Sequence, residues 1–108
     1  MTRYTKKRRH ERVATDIHVY WGPNYECSER GLVTSLSEGG CFLRTEAALP
    51  AGSEVYVNMW LHGSGPVPGE VRYRIEGYGL GVEFKLLGSL TAARLANLIA
   101  FYSQPAAG

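Results

Sequence analysis

The sequence holds only two cysteines in 108 residues, Cys27 and Cys41. That excludes a disulfide framework. With no Cys-x-x-Cys and no Cys/His cluster at zinc spacing, it also excludes the common structural zinc sites. Cys41 sits among apolar residues and reads as a small core residue, whereas Cys27 lies in a polar turn and reads as a free thiol. Both fit a reducing compartment. No run approaches the roughly 20 apolar residues of a membrane span, and the basic start leads into alternation rather than into the apolar stretch of a signal peptide. The expectation is a cytoplasmic protein without membrane insertion. Catalytic sets are missing as well. His10, His18 and His62 have no ligand spacing, and Asp16 and Glu70 give no arguable carboxylate pair. His62-Gly63-Ser64-Gly65 is not a nucleophile elbow, which needs Gly-x-Ser-x-Gly. Neither an enzyme nor a metal or cofactor is expected.

What is present begins with charge. The net charge of +2 hides an asymmetry. Residues 1–12 carry six basic side chains, Arg3, Lys6, Lys7, Arg8, Arg9 and Arg12, against Glu11 alone. The other 96 residues hold six basic and nine acidic side chains. The basic character belongs to an arm and not to the fold. Such an arm favours an anionic partner: a nucleotide, a nucleic acid or an anionic lipid. A chain of this length fits one domain with one core.

From Val13 the pattern becomes that of strands. Val13, Thr15, Ile17, Val19 and Trp21 alternate with Ala14, Asp16, His18 and Tyr20, the period of a half-buried strand. Gly22-Pro23-Asn24 is a turn signal. A second strand is expected near Arg30 to Leu36, ending in Ser37-Glu38-Gly39-Gly40. A third runs from Cys41 to Thr45, with a turn at Leu49 to Gly52. Glu54 to His62 reads as one long strand with Val55, Val57, Met59 and Leu61 on one face, and Gly63 to Pro68 as a loop. In Glu70 to Ile75, Val71, Tyr73 and Ile75 share a face against Glu70, Arg72 and Arg74. Gly77 to Gly79 turns into Leu80 to Phe84. Ser89 reads as the N-cap of a helix with Leu95, Leu98, Ile99 and Tyr102 at helical spacing, and Pro105 stops it. Six short strands and one amphipathic helix predict an all-β fold: a six-stranded antiparallel barrel with a C-terminal α-helix. Residues 1–12 form a flexible basic arm, 13–103 the barrel and helix, and 104–108 a tail.

Two segments carry chemistry. The first is Arg8-Arg9-His10-Glu11-Arg12 at the end of the arm. The second is Ser35-Leu36-Ser37-Glu38-Gly39-Gly40. Ser35 and Ser37 lie two apart and so share one face of a strand, with Leu32, Thr34 and Leu36 expected on the core side. Gly39 and Gly40 permit close backbone approach, and their N–H groups suit an anion. A guanidinium matches two phosphate oxygens or the O6/N7 edge of guanine. Together the segments describe a clamp for a guanine nucleotide.

At these residues the chain resembles the PilZ domain, a bacterial receptor module for cyclic di-GMP. Arg8 through Arg12 match that family's R-x-x-x-R motif. Ser37 and Gly40 match the serine and final glycine of its (D/N)-x-S-x-x-G motif, Gly79 to Phe84 its closing strand, and the helix follows in place. The resemblance covers roughly residues 7–103. It implies that Arg8 and Arg12 grip guanine and phosphate, with Arg9 beside them, and that Ser37 bonds a phosphate or a nearby polar group. Gly39 and Gly40 would let the turn fit the ligand. Lys7, just before the first motif arginine, is the position that the family associates with a stacked ligand pair. One position departs: Ser35 stands where the family has Asp or Asn. Losing a good base-edge partner typically costs about 1–3 kcal/mol, or roughly 10–100-fold in affinity. Either Ser35 still serves, directly or through water, or the domain works mainly through a protein partner.

The expected function is a cyclic di-GMP receptor that orders its arm on the ligand and signals through an unidentified protein effector, since no output domain accompanies the barrel. The rival within the family is an interaction scaffold that no longer binds the nucleotide. The rival of another class is a small barrel that binds nucleic acid. It is disfavoured because no aromatic stacking platform is interleaved with Lys or Arg. Arg72 and Arg74, outward on a late strand, are candidates to flank the site, though a solvated barrel face is the favoured reading, and Trp60 is either an interaction surface or a residue packed under the arm or helix.

Overall fold

Alternation of apolar side chains makes strands, and a strand set with one apolar face buries it most completely by closing on itself. The computed structural model describes residues 11–61, 65–85 and 87–103. Within them the elements are β1 Val13–Gly22, β2 Glu29–Ser37, β3 Gly40–Arg44, β4 Glu54–Asn58, β5 Val67–Ile75, β6 Gly79–Phe84 and α1 Ser89–Ser103. The strands form a closed barrel in the order β1-β2-β3-β6-β5-β4, every neighbouring pair antiparallel. This is the six-stranded barrel with a C-terminal helix that the alternation predicts.

The barrel interior is filled by Trp21, Val33, Leu36, Cys41, Leu43, Val55, Val57, Val67, Val71 and Leu80, all buried. Each fully buried Val or Leu stabilises the fold by about 1.5–3 kcal/mol relative to leaving it exposed. Helix α1 packs against β1 and adds Leu95 to this core, with Leu98 and Ile99 partly buried beside it. The Tyr102 hydroxyl donates to Asp16 Oδ1 at 3.5 Å, tying the last helical turn to β1.

Four local expectations need correction. In β2 the core side is Val33 and Leu36, while Leu32 and Thr34 are only half-buried. Its register against β3 shifts between Val33 and Ser35. A bulge inserts one residue and so reverses which parity faces inward. In β5 the register shifts again between Val71 and Tyr73. Beyond that point Tyr73 and Ile75 are exposed instead of core. Strand β4 stops at Asn58, whose Oδ1 accepts from the Trp60 N–H at 2.9 Å. This side-chain turn takes the backbone out of the ladder, and Trp60 adopts φ 61°. β5 correspondingly begins early, with Val67 and Pro68 paired to Val57 and Tyr56. Finally, the Gly88 carbonyl accepts the first helical bond, from Ala92 N at 2.9 Å. The residue whose carbonyl does so is the N-cap, so Ser89 lies one position inside the helix.

Both cysteines are free, and both are buried. Burial pushes the Cys41 thiol up to about 12, partly opposed by the nearby charge of Arg12. Cys27, expected in a polar turn, is buried behind it with its thiol directed at the Tyr56 carbonyl 3.5 Å away, and burial raises its pKa too.

Candidate functional site

The β2 bulge determines which hydroxyl faces out. Past it, Leu36 points into the core and Ser35 points outward, half-buried. Ser35 pairs in register with Ala14 on β1 and with Phe42 on β3. Phe42 pairs with Gly81 on β6, which pairs with Tyr73 on β5. One row thus crosses the outer wall: Ala14, Ser35, Phe42, Gly81, Tyr73. Arg12 immediately precedes β1, and its Nη1 donates to Ser35 Oγ at 3.1 Å. This contact joins the two segments expected to form the clamp. Arg8 and Arg9 lie outside the described residues.

The turn between β2 and β3 is built around Ser37. Its Oγ accepts from Gly39 N at 3.1 Å and Gly40 N at 3.2 Å, and donates to the Gly40 carbonyl at 3.4 Å. Ser37 is buried, 5 % exposed. The two hydroxyls expected side by side on one face therefore have different surroundings: Ser35 meets the arm, and Ser37 is enclosed by its own turn. The two glycine N–H groups are likewise bonded to Ser37. Gly39 O accepts from Phe84 N at 2.9 Å, which fastens the turn to β6. Gly40 is fixed by sterics of the same kind, because a Cβ there would overlap the Val82 carbonyl oxygen.

An aromatic cluster beside Ser35 escapes sequence reasoning, and it corrects the expectation that the barrel face has no aromatic rings interleaved with arginine. Phe42 stacks on Tyr73 with ring centroids 6.3 Å apart, and Tyr78 lies 5.7 Å from Phe42. The Arg44 guanidinium sits 4.5 Å from the centre of the Tyr78 ring, in cation–π range. The rings cover two glycines: a Cβ on Gly81 would overlap Tyr73, and one on Gly79 would come within 2.7 Å of Phe42. In the sequence Phe42 reads as one more apolar residue between Cys41 and Leu43. The available signal was the period-two pair Gly79 and Gly81, since bare backbone on a strand face is commonly covered by an aromatic ring from a neighbour.

Arg72 pairs with Glu83 at 3.2 Å and more loosely with Glu70 at 4.0 Å. Arg74 is exposed on the same strand. Among the described residues no group of His, Cys, Asp and Glu is placed to hold a metal ion, and no helix is long and apolar enough to cross a membrane.

Comparison with solved structures recovers the same fold. The chain superposes on the inhibitor of motility MotI/DgrA of Bacillus subtilis with a TM-score of 0.71 at 14% identity, covering 90% of this chain and 51% of that one. It therefore spans about half the length of that protein. The PilZ domain of YcgR from Escherichia coli, solved with c-di-GMP, gives a TM-score of 0.66 at 18% identity over 90% of this chain and 92% of that one. The PilZ domain of CeSA from a cellulose-synthesizing bacterium gives 0.66 at 20% identity over 87% and 99%. No curated protein matches the chain. The family model described as the PilZ domain matches residues 6–101, nearly the whole sequence, and the chain belongs to the PilZ domain family.

Proposed function

We propose that this chain is a cyclic di-GMP receptor. The nucleotide binds on the outer wall between the N-terminal arm and the β2–β3 turn, and the outcome is transmitted to a protein partner. The observation that carries this reading is the 3.1 Å bond from Arg12 to Ser35, which joins the arginine motif to the serine–glycine motif. Arg12 has its guanidinium on the surface beside an aromatic row, where it suits a phosphate or the face of a purine. Arg8 and Arg9 close on the ligand from the arm, which orders over it. Ser35 is the hydroxyl that meets the ligand. Ser37, Gly39 and Gly40 act by holding the turn rigid against β6, so that the ligand faces a preformed wall. The solved c-di-GMP complex of the YcgR PilZ domain, on the same fold, supports the choice of ligand.

Calorimetry with cyclic di-GMP, GMP and a single-stranded oligonucleotide tests the reading against its rivals. Saturable heat with cyclic di-GMP alone is expected. Silence with all three at tens of micromolar protein leaves the interaction scaffold, and heat with the oligonucleotide alone leaves the nucleic-acid binder.

A further inference from the structure

A second feature of the outer wall lies away from Ser35, toward the other end of β2. Two adjoining hollows of about 320 and 380 Å³ share His18, Arg30 and Gly31. Both are shallow and open to solvent. Register explains their floor. His18 pairs with Leu32 and Leu32 with Arg44, while Tyr20 pairs with Arg30. Gly31 turns inward, where a Cβ would crowd Leu43 and Trp21. The floor of the first hollow is thus a leucine flanked by two arginines, of which Arg30 also lines the second. Tyr78 rims one end, and the edge-to-face pair Tyr20–Trp60, centroids 6.0 Å apart, rims the other.

Three properties separate this groove from an ordinary solvated barrel face. Neither Arg30 nor Arg44 has an acidic partner within 4.0 Å among the described residues, although Arg72 and Lys85 elsewhere on the barrel do. Glu46 is the single acid that lines it. Trp60 is 62% exposed and holds φ 61°. A bulky side chain in the left-handed region is strained, and such strain is held mostly at functional positions. Arg, Trp and Tyr are also the side chains that dominate protein–protein binding energy.

We propose that this groove docks an acidic peptide segment of a partner protein, one with an aromatic or aliphatic side chain between carboxylates. The carboxylates meet Arg30 and Arg44, whose forks accept them two-pronged. The apolar side chain lies beside Arg30 against the Tyr20–Trp60 pair. An open groove suits an extended segment better than a small molecule, which needs an enclosed pocket. The inference rests on the reading that the chain signals through a protein. A physical path to the nucleotide face exists, because Ser35 neighbours Phe42, Phe42 touches Tyr78, and Tyr78 carries Arg44.

The test is selection of peptides from a random display library on the full chain, with and without cyclic di-GMP, followed by titration of the enriched peptide. The expected consensus has carboxylates flanking an aromatic or leucine. Its affinity falls about tenfold or more in Arg30→Glu and in Trp60→Ala, with unchanged melting temperature in Arg30→Glu, whose side chain is exposed. Enrichment of sequences without carboxylates, no enrichment, or binding indifferent to both substitutions overturns the proposal. So does a loss of cyclic di-GMP affinity in Arg30→Glu, which would assign the groove to the nucleotide. If the wild-type chain binds no cyclic di-GMP, the receptor reading fails while the peptide result still decides this one.

Discussion

Arg12 and Ser35 are 23 residues apart in sequence and are joined by a 3.1 Å hydrogen bond on the outer wall of the barrel. The bond is solvent-exposed, its acceptor is neutral, and its donor lies on the surface. A contact of this kind contributes little to folding, on the order of 0.5–1.5 kcal/mol. Its value is positional, since it holds a guanidinium over the row that continues through Phe42 to Tyr73.

Arg12→Ala should therefore separate binding from stability. Removing a charge-assisted partner of a phosphate or base edge costs about 1–3 kcal/mol, or roughly 10–100-fold in cyclic di-GMP affinity. Thermal unfolding should move little, by no more than the roughly 0.5–1.5 kcal/mol that the exposed bond contributes. Calorimetry and a melting curve on the same sample check both. Normal affinity would move the site elsewhere.

Ser35→Asp restores an anionic acceptor beside Arg12. The guanidinium would then be held by a charge-assisted bond and be better placed before the ligand arrives. Cyclic di-GMP affinity should tighten by about tenfold, and the gain should shrink as salt is raised. An unchanged dissociation constant would mean that Ser35 does not touch the ligand.

Ser37→Ala tests the division of labour between the two serines. It leaves the Gly39 and Gly40 N–H groups without their acceptor. The cost is about 1–3 kcal/mol of stability, and each kcal/mol lowers the melting temperature by about 4–8 °C in a domain of this size. At a temperature where the variant is folded, its ligand affinity should fall less than that of Arg12→Ala. A large affinity loss with no change in melting would show that the hydroxyl serves the ligand directly.

Cys41 predicts an alkaline sensitivity. Its folded pKa is raised by burial to about 12 from an ordinary value of 9.0. Above pH 9 the unfolded chain releases this proton and the folded chain keeps it. Stability from this group is intact below pH 9 and is lost as pH rises toward 12, by about 1.4 kcal/mol per pH unit. Urea unfolding across that window should show a shallower loss for Cys41→Ala than for the wild type. Identical pH dependence of the two would contradict the burial effect.

The legible part of the fold is the part in which parity is unbroken. Val13 to Trp21 keeps alternating in burial although its register against β2 shifts between Ala14 and Ile17, and its buried side follows directly. The faces of β2 and β5 do not follow, because the bulges near Thr34 and Arg72 reverse inside and outside without leaving a mark in the apolar pattern. The site divides in the same way. The two segments that the sequence singles out meet at Arg12 and Ser35, because β1 pairs with β2 there. That Ser37 is enclosed by its turn, and that Phe42 leaves the core to stack on Tyr73, depends on how β6 lies against β3, which only the closed barrel determines.

The most direct measurement is an amide NMR titration of the intact chain with cyclic di-GMP. Saturable shifts should centre on Arg12 to Ala14, on Ser35 and the turn through Phe42, and on Tyr73 and Gly81. The Arg30 to Leu32 stretch should respond less. No shift at saturating nucleotide, or shifts that leave Arg12 and Ser35 unmoved, would contradict the placement of the ligand on this wall.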